Sequence, residues 1–116
     1  MIISQKGCTL KTVSYDGKWK GEVVFFDPLT IQQEAEWELA LGAYAIAREK
    51  RGGDSAQVLS FLPAIIACVS EWHLDGLPER MTVQNFPRRP RIDRANLVAF
   101  LVKNISEIYI VDDPNE

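Results

Sequence analysis

With 116 residues, 47% of them hydrophobic, the chain has the length and apolar content of a single domain, 1–116, built on one core. Its 13 Lys and Arg against 16 Asp and Glu leave a formal charge of −3, which argues against a protein whose chief work is to neutralise phosphate backbones, so nucleic acid is not an expected partner. A membrane is not expected either: the most apolar stretch, VLSFLPAIIACV at 58–69, is interrupted by Ser60 and Pro63 and falls short of the roughly 20 residues a span needs.

The first stretch, MIISQKGCTLKT, carries neither the basic leader nor the long apolar run of an export signal. Cys8 and Cys68 stand sixty residues apart and fit no zinc or redox spacing, so both are expected as reduced, buried thiols of a cytosolic protein. Asp16-Gly17 suits a two-residue hairpin turn, because both central positions of a type I′ turn need positive φ. That turn pairs Tyr15 with Lys18, Leu10 with Val23 and Cys8 with Phe25, and puts Cys8, Leu10, Trp19, Val23 and Phe25 on one dry face.

Thr30 followed by Gln33 forms a capping box that opens a long helix, with Glu34 and Glu36 near its positive end. Arg48, Lys50 and Arg51 stand at its negative end, and Gly52-Gly53 stops it. Trp37, Ala40, Leu41, Tyr44 and Ala47 recur at spacings of three and four and make its core stripe. A second helical segment starts at Asp54 or Ser55 and runs to about Trp72, kinked or broken at Pro63. Beyond Gly76 and Pro78, ERMTVQNF reads as a short strand or an extended connection, and Pro87 and Pro90 bar regular structure until Asp93. A last helix then places Leu97, Leu101, Ile105 and Ile108 on one stripe, flanked by Val98, Val102 and Tyr109. The expected architecture is α+β, an N-terminal β-hairpin packed on a bundle of three to four helices.

Three clusters carry possible chemistry. Glu71, His73 and Asp75 lie two apart; on a helix such positions diverge, on a strand they share a face, and the apolar helix preceding them favours divergence, with His73 as an end-cap and Asp75-Gly76 as a turn. Neither a second His nor a Cys stands at metal-ligand spacing beside them. Cys68 sits in the most apolar helix, where burial raises a thiol's pKa and removes it as a nucleophile. Lys50-Arg51-Gly52-Gly53 follows a helix and lacks the Walker pattern, so it reads as a helix stop. The run FPRRPRIDR gathers Arg88, Arg89, Arg91 and Arg94 on a proline-stiffened segment, either a solvated basic loop or a docking edge for an acidic protein. Of these, Arg88, Arg89 and Arg91, with an exposed edge of Trp72, form the expected partner-binding surface.

The order GKWKGEVVFFDPLTIQQEAEWELA, ACVSEWHLDGLPERMTVQNFP and RRPRIDRANLVAFLVKNISEIY resembles the small tail assembly chaperones of long-tailed bacteriophages. The features that carry the resemblance are DPLT opening a long helix, the tryptophan-bearing EW-L-G-P junction and the final LVAFLVKNISEIY helix. It implies a non-enzymatic protein of the host cytoplasm with no cofactor and no catalytic residues. Its clients would be the helical tape-measure protein and the tail-tube subunits, and surplus apolar surface could also serve a homo-oligomer. A permanent tail-completion or connector subunit, an inhibitor of a host protein, and a metal enzyme using Glu71, His73 and Asp75 are the rival expectations.

Overall fold

The computed structural model describes residues 9–111. Strands β1 (Leu10–Tyr15) and β2 (Gly21–Phe26) lead into α1 (Ile31–Glu49), α2 (Asp54–Cys68), β3 (Val69–Leu74) and α3 (Arg91–Val111). The three strands form one antiparallel sheet in the order β1-β2-β3, so the fold is α+β with the expected hairpin, three helices, and a third strand where the sequence suggested helix.

The hairpin register departs from expectation. Tyr15 pairs with Gly21 and Leu10 with Phe26, three residues away from the pairing that a tight turn at Asp16-Gly17 imposes. The connection runs over 16–20 because Trp19 folds inward to be buried and Tyr15 closes over Gly17, where a Cβ would lie 2.4 Å from the phenolic oxygen. An odd shift exchanges strand faces. Val13 and Tyr15 therefore join Val23 and Phe25 on the core side, and Leu10, expected inside, is 44% exposed. Cys8 lies outside the described residues.

The α1 capping box is formed: the Gln33 N–H donates to Thr30 Oγ1 at 3.1 Å and the Thr30 N–H to Gln33 Oε1 at 2.8 Å. At the other end the Gly52 N–H reaches Ala47 O at 2.7 Å and the Arg51 N–H reaches Arg48 O at 3.0 Å, the two bonds of a Schellman stop. Arg51 takes the left-handed position, φ 58°, that glycine usually fills. Gly52 serves close approach instead, since a Cβ there would sit 3.0 Å from Ala47 O.

α2 continues through Pro63, an exposed position, and ends at Cys68. The expected extension to Trp72 fails because Val69 turns to extended backbone, φ −99° and ψ 128°, and starts β3. In β3, Val23 faces Trp72 and Gly21 faces Leu74, while a bulge at Ser70 separates the Val24–Glu71 and Phe25–Val69 pairs. ERMTVQNF is a connection closed by one turn, in which the Thr82 N–H donates to Asn85 Oδ1 at 2.7 Å and the Asn85 N–H to Thr82 Oγ1 at 3.2 Å. Met81 and Phe86 anchor it in the core, Phe86 edge-on to Trp72 at 6.4 Å. α3 begins at Arg91, two residues before the expected Asp93, and buries Leu97, Leu101, Ile105 and Ile108 as its stripe requires.

α2 is the central helix. On one side Trp37 and Tyr44 of α1 pack on its Phe61, at 5.5 and 4.9 Å between ring centroids. α3 also packs on α2 and reaches the sheet through Phe100, which lies 4.8 Å from the Tyr15 ring and 6.4 Å from that of Phe25. Apart from Val24, the buried apolar side chains of sheet and helices form one cluster.

Candidate functional site

The acid–histidine segment lies on β3, and its side chains do not diverge as a helix would make them. Period-2 alternation sends Trp72 and Leu74 inward and Glu71 and His73 outward together. The His73 ring nitrogen Nε2 and Glu71 Oε1 are 2.8 Å apart, both half exposed, and the expected end-cap role of His73 against a helix dipole is overturned. Asp75 does form the turn with Gly76, φ 84°, its N–H bonded to Lys20 O at 3.0 Å. Among the described residues no three His, Cys, Asp or Glu side chains gather in a way that could hold a metal ion. Cys68 is fully buried, and burial, with Glu36 nearby, pushes its thiol up to about 12, where it carries no thiolate at neutral pH.

Trp72 was expected to offer an edge to a partner. It retains 5% of its surface, because β3 turns it into the core against Val23 and Phe86. The arginines do come together. Arg88, Arg89, Arg91 and Arg94 line one recess of about 420 Å³ with Ser55, a side chain of the first turn of α2. Arg88, Arg89 and Arg91 are exposed; Arg94 is buried and pairs through Nη2 with Asp54, the first residue of α2. The four share one recess, with three of them exposed at the surface.

No protein-family model matches the chain, and neither a curated protein nor a solved structure matches it. The remaining observations are those of its own surface. Next to the arginine recess, an apolar groove of about 300 Å³ runs between α2 and α3, lined by Tyr44, Val58, Phe61, Val98 and Val102 among others.

The feature that sequence reasoning missed is the outer face of α1. Trp37, Ala40, Tyr44 and Ala47 turn inward as expected, but Leu41 is exposed. Diametrically opposite lies a second stripe, Ile31, Ala35, Leu39, Gly42 and Ile46, at spacings of four and three. Ile31 is 85%, Leu39 71% and Ile46 55% exposed, and nothing lies within 4 Å of where a Cβ would be at Gly42. The signal was in the sequence, since ELALGAYAIA is apolar around most of its circumference.

Proposed function

We propose that the chain is a non-enzymatic assembly chaperone that holds a helical client against the outer face of α1, in the phage-tail role its sequence pattern resembles. The clients are the tape-measure protein, whose long helix needs its apolar side covered, and the tail-tube subunits that assemble around it. The observation that carries this reading is the bare second stripe of α1. A helix that packs through one face already satisfies the fold, so three large aliphatic side chains left in water on the other face are costly for solubility unless they are covered in use. Their spacing suits a helix laid alongside, with Gly42 allowing close backbone approach.

Magnitude favours a transient partner over a permanent one. Burying Ile31, Leu39 and Ile46 is worth about 1.5–3 kcal/mol each. Their sum is comparable to the roughly 4–15 kcal/mol lost on association. The client's own apolar side chains add to that sum, and a small surplus suits a contact that holds a client during assembly and then releases it.

Co-expression with the tape-measure protein tests the reading. The chain should keep that protein soluble and co-purify with it, Leu39→Lys with Ile46→Lys should end both effects, and purified particles should lack the chain. Arg88→Glu with Arg89→Glu should leave client binding intact, because those arginines close a pocket away from the stripe. The opposite pattern, binding lost with the arginines and kept without the stripe, would return the docking surface to the basic loop.

A further inference from the structure

The arginine recess carries a second inference, independent of the α1 stripe. Two helices, α2 of 15 residues and α3 of 21, begin beside it: Ser55 belongs to the first turn of α2, and Arg91 and Arg94 to the first turn of α3. The start of a helix is the positive end of its dipole, with backbone N–H groups that lack intrahelical acceptors. Gly53 caps α2 without a side-chain hydrogen bond, leaving that end open to an outside acceptor. Four guanidinium groups gathered at two such ends repel one another and both dipoles, in a chain whose formal charge is −3. Asp54 answers one of them, by pairing with Arg94.

Arg94 makes the recess a built site. It is 7% exposed, lines the recess, and its Nε–H is buried without a hydrogen-bond partner among the described residues. The pairing with Asp54 fixes the Arg94 side chain, so its charge stands at the recess wall without the ordering cost that a free side chain would carry.

We propose that this recess binds a small phosphate-class oxyanion, free or as the phosphate end of a small molecule. Guanidinium forks and a hydroxyl arriving from several directions match the four oxygens of a tetrahedral group better than the two of a planar carboxylate. A charge near −2 also offsets an excess of three positive charges better than a single carboxylate does. The recess lining contains no aromatic ring on which a base could stack, so the phosphate end alone supplies the recognition.

Titration calorimetry of the purified chain with inorganic pyrophosphate, at constant ionic strength set with sodium chloride, reads the site directly. Saturable one-to-one binding is expected, weakened about tenfold in Arg88→Gln with Arg89→Gln, whose exposed side chains are not needed for folding. Asp54→Asn should bind about threefold or more tightly, because it removes the negative charge that pairs with Arg94 of the recess wall. Adenosine triphosphate should bind no more tightly than inorganic tripolyphosphate if the phosphate end alone is recognised, and a tighter nucleotide would identify an organic phosphate as the source while keeping the site. Heat no greater than sodium chloride produces, binding unchanged in both variants, or binding of a poly-glutamate peptide in place of pyrophosphate would overturn the proposal. None of these readouts involves a client, so their failure leaves the reading of α1 untouched.

Discussion

Trp72 shows how one side chain changes role when its element changes. On a helix end it could lie across the surface; on β3 it stands in the row Val13, Val23, Trp72 across the inner face of the sheet and closes against Phe86. Trp72→Ala should therefore lower stability by about 3–5 kcal/mol in urea unfolding, as large-to-small core changes do. Gly21 is constrained by a neighbour: a Cβ would lie 1.9 Å from the His73 carbonyl oxygen. Gly21→Ala has to push β3 away and should cost about 2–3 kcal/mol, in the range of other overpacking changes. Cys68 supplies a pH signature. Its folded thiol titrates near 12 through burial, with a smaller contribution from Glu36, whereas an unfolded thiol titrates near ~8.5. Above the unfolded value the unfolded chain has released a proton that the native chain still holds, so stability falls as pH rises and is complete below that value. The slope approaches about 1.4 kcal/mol per pH unit between the two values. Tyr15, raised by burial and by Asp93, adds to the fall at still higher pH. Urea midpoints at pH 8 and 10.5 should show the drop, and Cys68→Ala should flatten it.

At the scale of elements, what the sequence made legible followed local chemistry. The α1 cap and stop rest on contacts within one turn of the chain, Thr30 to Gln33 and Ala47 to Gly52, and both are where the residue types put them. The α3 stripe likewise needs only periodicity. The misses depend on partners distant in sequence. β3 was hidden because VLSFLPAIIACV reads on as helix, and only pairing with Val23 and Gly21 draws Val69–Leu74 into the sheet. The hairpin register was hidden because the Asp16-Gly17 signal competes with the burial of Trp19 and Tyr15, and burial wins. For the site, the sequence marked Arg88, Arg89, Arg91 and Arg94 as a group but could not show Ser55 joining them from α2, since that proximity is set by how α2 and α3 pack. The bare stripe of α1 leads to a prediction at this scale. Leu39→Lys with Ile46→Lys replaces two water-exposed side chains, so helix content by circular dichroism should be unchanged and the melting midpoint should move little, while solubility at high concentration rises.

In the whole molecule the two candidate surfaces occupy different elements. α1 packs chiefly on α2 and turns its second apolar face outward, while the arginine recess forms where α2 and α3 begin. The body measures 47 × 33 × 22 Å, thin enough that an outer helix has one side for the core and one for a partner. Among the described residues no helix is long and apolar enough to cross a membrane, and the stripe of α1 is continuous for four turns but only one face wide. Self-association through the same stripe is the competing use, and sedimentation of the chain alone reads it: a monomer at micromolar concentration is expected, and a dimer abolished by Leu39→Lys with Ile46→Lys would assign the stripe to a second copy of the chain. The most direct measurement is co-expression of the chain with the tape-measure protein, followed by assay of the soluble fraction. A soluble complex is expected with the wild-type chain and an insoluble client with Leu39→Lys and Ile46→Lys; a client that stays soluble with the doubly substituted chain, or is insoluble with either, would contradict a chaperone role for the stripe.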